Sequence, residues 1–275
     1  MFILLLVHKL SGVILCCLVP LIAYAQGEID TQDKILYRNE RSLAFLLNSN
    51  GMGGNFRFAK RITYLRKTLY EVDLVNVKHP KEVRLYTSSS TSNTSKSYIY
   101  GKTNSFLNLR AGIGFQREIF QKQDRGGISI RYFYSLGPDL GLAKPIYYNY
   151  ITILYIDGQV SYEYSTEKFG DSQHAYPTEI TGRASFFKGF SEISLIPGAF
   201  GKLGLTMEFG RNEQIINAIE AGLVVDAFIK KVPIMATEDN NWLFLSLFIS
   251  YRFGRAIDVS GRQQKKTKVD KLLSQ

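Results

Sequence analysis

The sequence predicts an all-β protein, an antiparallel up-and-down transmembrane β-barrel of about eight strands. Three observations predict it. Several segments alternate apolar and polar residues with period two, so each strand carries one apolar and one polar face. The polar faces hold charges and glycines while the apolar faces stay continuous, as in a wall between lipid and a polar interior. Tyr and Phe are abundant, at 17 and 18 residues, and Pro is scarce at 7, which suits strands better than helices.

The chain opens with a segment outside the barrel. Lys9, an apolar run from Gly12 to Ile22, and Ala23-Tyr24-Ala25 before Gln26 read as a secretory signal peptide over residues 1–25. The run is too short for a comfortable helical span. Cys16 and Cys17 both lie inside it, and Leu15 stands where a lipoprotein signal wants a small residue. The expected mature chain therefore has no cysteine, which excludes a disulfide scaffold, a thiolate metal site and a cysteine nucleophile. Residues 26–41 are expected to be an N-terminal periplasmic segment. Loss of Lys9 takes the formal charge from +10 to +9. For an exported chain, that balance points to outer-membrane lipid and lipopolysaccharide, and the absence of any nucleic-acid motif argues against nucleic acid.

The barrel is expected over 42–254, with strands near 42–48, 53–60, 65–77, 105–119, 126–137, 198–209, 216–229 and 242–254. Leu43, Phe45 and Leu47 alternate before the turn "NSNGMGG"; Phe56 and Phe58 alternate with Asn55 and Arg57 after it. Tyr70, Val72 and Leu74 oppose Glu71 and Asp73. Leu107, Leu109, Ala111, Ile113 and Phe115 oppose Asn108, Arg110, Gly112, Gly114 and Gln116. Ile128, Ile130, Tyr132, Tyr134 and Leu136 oppose Ser129, Arg131 and Ser135. Leu203, Leu205 and Met207 oppose Lys202, Gly204, Thr206 and Glu208, and Ile219, Ala221 and Leu223 oppose Glu220, Gly222 and Val224. Leu243 to Phe253 closes the series, with Phe244 and Phe248 as exceptions on the polar face. A ten-stranded wall results if 146–165 also pairs into it.

Connection lengths alternate. "RITY", "QKQDRG" and "GRNEQI" are short; 78–104 and 138–197 are long, and "NSNGMGG" and "VPIMATEDNN" are intermediate. Short periplasmic turns and longer extracellular loops are the outer-membrane arrangement. The polar faces then supply a lumen charge network of Arg57, Glu71, Asp73, Arg110, Arg131, Lys202, Glu208, Glu220, Asp226 and Arg252, five basic and five acidic. An eight-stranded lumen is just wide enough to be filled by side chains. Balanced pairs are expected there, because isolated buried charges are prohibitively costly. Gly112, Gly114, Gly204 and Gly222 are expected to leave room for the arginines and for Phe244 and Phe248.

The phrases "NSNGMGGNFRFAKR", "LYEVDLVNVKHPKEVR", "YIYGKTNSFLNLRAGIGFQREIF" and "GGISIRYFYSLGPDLGLAKPIYY", with the closing "SYRFGR", resemble a group of uncharacterised Bacteroidota outer-membrane β-barrel proteins. The resemblance covers roughly residues 40–150 and implies fold and location alone. The extension past Gly254 departs from barrels that stop at a terminal aromatic.

Chemistry is sparse. The mature chain has two histidines, His79 and His174, both in long loops. His79, with Glu82 and Ser88–Ser90 nearby, reads either as a general base at the rim or as a brace for the turn before Pro80. Glu71 and Asp73 read as arginine partners before they read as a proton-sharing pair. No catalytic set, metal cluster, nucleotide loop or cofactor signature is present. The 138–197 loop offers a candidate binding surface in Tyr147, Tyr148, Tyr150, Tyr162 and Tyr164; its "NYITILYIDGQVSYEYS" reads first as strands continued above the membrane as a hairpin, which is compatible with that surface, and "RASFFKGFSEI" reads as a short amphipathic cap. Residues 255–275 form a basic periplasmic tail, read as a solvated end or as a docking segment. The expectation is a non-enzymatic outer-membrane barrel, an envelope scaffold or accessory of an export or assembly complex that meets an envelope partner through its loops or tail. The rival readings are a barrel enzyme acting on lipid A or phospholipid, and a narrow specific uptake channel.

Overall fold

The computed structural model describes residues 38–87, 96–122, 126–156, 159–170, 179–210, 214–237 and 240–258. The expected signal peptide, most of the expected N-terminal segment, Ser88–Ser90, His174 and the tail past 258 lie outside the described residues. Thirteen strands are present among those described: β1 (Arg38–Asn48), β2 (Gly51–Arg61), β3 (Arg66–Val77), β4 (Arg84–Thr87), β5 (Lys96–Ile99), β6 (Asn104–Phe120), β7 (Ser129–Pro145), β8 (Tyr147–Ile156), β9 (Gln159–Lys168), β10 (Ile180–Arg183), β11 (Ser194–Phe209), β12 (Ile215–Phe228) and β13 (Leu243–Asp258).

Eight of them close into an antiparallel barrel in the order β1-β13-β12-β11-β7-β6-β3-β2. The seam joins the first strand to the last, with Leu43 opposite Phe253 and Phe45 opposite Tyr251, so the barrel wall has no open edge. The 146–165 segment does not enter the wall. It forms β8 and β9, which pair with β10 as a separate sheet, so the barrel has eight strands rather than ten.

Two connections differ from the sequence expectation. The "NSNGMGG" loop shrinks to a turn at Ser49–Asn50, because Gly51 and Gly53 belong to β2. A side chain at either would run into the β3 backbone, with a Cβ on Gly51 only 1.9 Å from the Asn76 carbonyl oxygen. That outer turn is as tight as the periplasmic ones, so loop length does not sort cleanly by end of the barrel. The fifth wall strand also runs past 137 to Pro145. Gly137-Pro138 resembles a loop start, but Pro138 only interrupts the β6–β7 ladder, which runs to Ile113↔Leu136 and resumes at Arg110↔Asp139.

The outward face is apolar all round. Leu43, Phe45 and Leu47 on β1, Leu203, Leu205 and Met207 on β11, and Leu245, Leu247 and Ile249 on β13 are all 42–68% exposed. A water-soluble protein rarely shows an apolar patch above a few hundred Å², and a belt around a whole barrel has only lipid to meet. Closure pairs every wall strand on both sides, as backbone in a hydrocarbon layer requires. The chain is a transmembrane barrel of the bacterial outer membrane.

Candidate functional site: the lumen and the outer rim

Inside the wall, alternation delivers the opposite set of side chains. All ten lumen candidates (Arg57, Glu71, Asp73, Arg110, Arg131, Lys202, Glu208, Glu220, Asp226 and Arg252) are buried, none more than 9% exposed. They form three linked groups. Glu220 on β12 is the hub of the central one. It accepts from Arg57 Nη1 at 2.6 Å, from Arg252 Nε and Nη2 at 2.9 Å each, and from Thr206 Oγ1 at 3.0 Å. Arg57 also bridges to Glu71 at 3.0 Å, and Ser135 donates to the other Glu71 oxygen. Arg252 reaches Asn55 Oδ1 at 2.6 Å and Ser42 Oγ at 2.9 Å, while Asn55 donates to Asp73. Lys202 closes this group with a 2.7 Å bond to Asp73.

Above it, Arg110 makes a two-pronged contact with Asp226, Nε and Nη2 each at 2.7 Å. Below it, toward the periplasm, Arg131 pairs with Glu208, which also takes Lys122 at 3.0 Å. Further charged groups, buried or half-buried, were not among the expected set. Lys67 pairs with Glu40, and Asp139 accepts from Asn108 Nδ2 at 3.0 Å. Lys67 shares the parity of Glu71 and Asp73, which is the signal that would have found it. Glu40 and Asp139 sit on strand ends beyond the expected boundaries.

The lumen glycines also make room for rings that the alternation did not single out. A Cβ on Gly112 would lie 2.6 Å from the Phe200 ring, and one on Gly204 would lie 2.9 Å from the Phe133 ring. Phe200 and Phe133 lie on the polar face of their strands and fill the barrel. The Arg57 guanidinium stands 4.5 Å from the Phe133 centroid, a cation–π contact that adds to its two carboxylate partners. Phe244 lies near the outer mouth, stacked on Phe106, which Phe228 meets edge-on, while Phe248 stands opposite Gly222 and against the Phe133 ring.

That mouth is plugged. Val232, Ile234 and Met235, from the connection between β12 and β13, drop into the apolar cluster with Phe106, Phe228, Val77 and Ile196. The connection is pinned to the β5–β6 loop: Thr103 N donates to the Ile234 carbonyl at 3.0 Å, and Ala236 N donates to the Gly101 carbonyl at 2.7 Å. Asn240 braces it, accepting from Ile234 N and Met235 N and donating to the carbonyls of Met235 and Thr237. The "VPIM" run was the legible signal, being apolar within an outer connection that is otherwise polar.

His79 is buried, and its ring is used locally. Nδ1 accepts from Lys81 N at 3.2 Å, while His79 N donates to Glu82 Oε1 at 3.0 Å. Glu82 also takes Lys102 Nζ at 2.7 Å. Burial holds the Lys102 amine below its usual range against the opposing pull of Glu82.

The tyrosine surface of the 138–197 loop is only partly a surface. Tyr148 and Tyr150 are 1% and 0% exposed. Alternation along β8 turns both inward against Tyr98, Ile146 and Ile180, and Tyr148 Oη donates to the carbonyls of Ile99 and Lys102 at 2.7 and 2.8 Å. Burial raises the Tyr148 phenol above its usual range. Tyr147 is half-buried, and its hydroxyl donates to Glu192 at 2.7 Å. Tyr162 and Tyr164 on β9 are exposed, at 58% and 73%. They oppose Ile153 and Ile151 on β8, so one face of this hairpin is apolar and open. Among the described residues, no group of His, Cys, Asp and Glu could hold a metal ion.

No protein-family model matches the chain, and no curated protein matches its sequence. Solved structures share its general form at low similarity. Neisserial surface protein A is 11% identical with a TM-score of 0.35, covering 80% of this chain and 96% of that one. Ail, the attachment invasion locus protein of Yersinia pestis, is 9% identical with a TM-score of 0.33, covering 81% and 97%. The N-terminal β-barrel domain of Pseudomonas aeruginosa OprF is 10% identical with a TM-score of 0.32, covering 78% and 98%. The architecture of this chain rests on its own strand pairing.

Proposed function

We propose that the protein is a non-enzymatic, non-conducting outer-membrane barrel that holds a rigid platform at the cell surface, as an envelope scaffold or an accessory of an export or assembly complex. The observation that carries this reading is the double filling of the lumen. Interlocked charges occupy its centre and lower end, and the Phe106–Phe228–Phe244 cluster with Val232, Ile234 and Met235 closes the mouth. A path for solute would have to break ion pairs in a low-dielectric interior, each costing about 3–5 kcal/mol when one partner is removed. The platform is the β10-β8-β9 sheet, fixed to the barrel mouth by the buried Tyr148 and presenting Tyr162 and Tyr164 outward. His79 supports a structural role, since its Nδ1 is engaged by the backbone of its own turn.

Planar-bilayer recording of the refolded barrel tests this reading. No stable conductance is expected, and Tyr162→Ser/Tyr164→Ser should reduce recovery of a cross-linked envelope partner while barrel assembly is kept. Steady single-channel conductance that changes with Arg110→Ala would favour the channel reading instead. Turnover of lipid A or phospholipid abolished by His79→Ala would favour the enzyme reading.

A further inference from the structure

The turn that joins β10 to β11 carries three phenylalanines that cover no core. Phe186, Phe187 and Phe190 are 56%, 79% and 46% exposed, and they pack on one another with centroids 5.4–6.2 Å apart. The turn is shaped rather than slack. Gly189 takes φ of +87°, where a side chain would be strained and would meet the Pro145 carbonyl at 2.9 Å. Its place on the wall is fixed by Lys144. On β7 the outward positions run Leu136, Pro138, Leu140, Leu142 and then Lys144, one step above the lipid-facing leucines. The rings of Phe186 and Phe190 lie 4.9 and 5.0 Å from Lys144 Nζ, which donates to the Lys188 carbonyl at 3.0 Å. The cluster therefore sits on the outer flank of the barrel, continuous with the lipid-facing belt at its upper edge.

Cations surround it. Arg183 and Lys188 are exposed, with the Arg183 guanidinium 6.0 Å from the Phe186 centroid and Lys188 Nζ 4.9 Å from the Tyr147 centroid. The carboxylate in contact with this group, Glu192, is engaged by Lys168 at 2.5 Å and by the Tyr147 hydroxyl. Three exposed phenyl rings in water are a liability, since burying each is worth about 1.5–3 kcal/mol. At the border between acyl chains and headgroups the same rings are stabilising, and cations beside them meet phosphate.

We propose that Phe186, Phe187 and Phe190, with Arg183 and Lys188, form a binding site for a phosphorylated, multiply acylated lipid of the outer leaflet, the chemistry of lipid A. The rings seat between acyl chains, and the two exposed cations contact a phosphate above them. The inference rests on the outer-membrane placement and is independent of the scaffold reading.

Native mass spectrometry of the full-length barrel, released from vesicles of phosphatidylcholine plus diphosphorylated lipid A, tests it. The wild-type chain should retain one lipid A, and Arg183→Ala/Lys188→Ala should lower retention about 25-fold, at about fivefold per cation. Phe186→Ser/Phe187→Ser/Phe190→Ser should also lose it. Dephosphorylated lipid A should bind the wild type as weakly as diphosphorylated lipid A binds the double cation variant, and inorganic phosphate in excess should not displace the lipid. Heat-modifiable gel migration establishes that each variant still forms the barrel. Equal retention by wild type and the cation variant, equal binding of dephosphorylated lipid, or displacement by inorganic phosphate would overturn the proposal. So would photo-crosslinking from position 187 that captures polypeptide in place of lipid.

Discussion

Glu220→Gln is the substitution that asks most of the lumen. The side chain has no exposure and carries two arginines, Arg57 and Arg252. The two losses differ. Arg57 keeps Glu71 at 3.0 Å, so part of its compensation survives. The ion pair of Arg252 is with Glu220, and what remains to it is neutral: Ser42 at 2.9 Å and Asn55 at 2.6 Å. A buried guanidinium stripped of its carboxylate costs about 3–5 kcal/mol, and the shape-matched glutamine cannot restore the charge. Urea unfolding of the barrel in phospholipid vesicles, followed by the single tryptophan, Trp242, should show a loss of that size. Glu220→Leu/Arg252→Met removes both charges and should recover at least about 2 kcal/mol of it, because the penalty belongs to the unpaired charge. A loss under about 1 kcal/mol for Glu220→Gln, or a double variant worse than the sum of its parts, would refute the reasoning.

Three further outcomes follow from other parts of the molecule. Leu223→Arg puts a charge on the lipid face opposite Leu203 and Leu247, and folding into vesicles should lose about 2–4 kcal/mol; full folding yield would speak against a lipid-facing β12. Gly112→Val drives a side chain into the Phe200 ring and should cost about 1–3 kcal/mol in overpacking, with Phe200→Ala restoring most of it, as read from unfolding midpoints. Tyr148→Phe strips the donor from the Ile99 and Lys102 carbonyls, so hydrogen exchange should quicken across 98–104 while protection in β11 and β12 stays unchanged.

The wall was legible because its signal is local. Leu203-Gly204-Leu205-Thr206-Met207 states its two faces within five residues, and the same parity fixes which charges point inward. Who pairs with whom was not legible. Arg57 and Glu220 stand 163 positions apart, and their meeting depends on closure and register around the whole barrel. Strand ends were also lost where a turn-forming residue sat in a strand: Gly51 in β2, Pro138 in β7. The tyrosine run misled for a further reason. Period two along β8 was visible, but the face that Tyr148 and Tyr150 present is decided by Tyr98 and Ile180, which arrive from β5 and β10. The Val232–Met235 plug escaped because a loop that folds back into a lumen has no periodicity to read.

The central claim is that the apolar face of the wall meets lipid while the opposite face is packed shut. Thiol labelling tests it most directly, because both native cysteines, Cys16 and Cys17, lie in the first 25 residues. Single cysteines placed from 202 to 207 on β11, in a chain begun at Gln26 and folded into vesicles, should alternate. Positions 203, 205 and 207 should react with a lipid-soluble maleimide, and positions 202, 204 and 206 should stay unlabelled until urea unfolds the barrel. Uniform labelling, or reaction of 202, 204 and 206 with a water-soluble maleimide in the folded state, would contradict it.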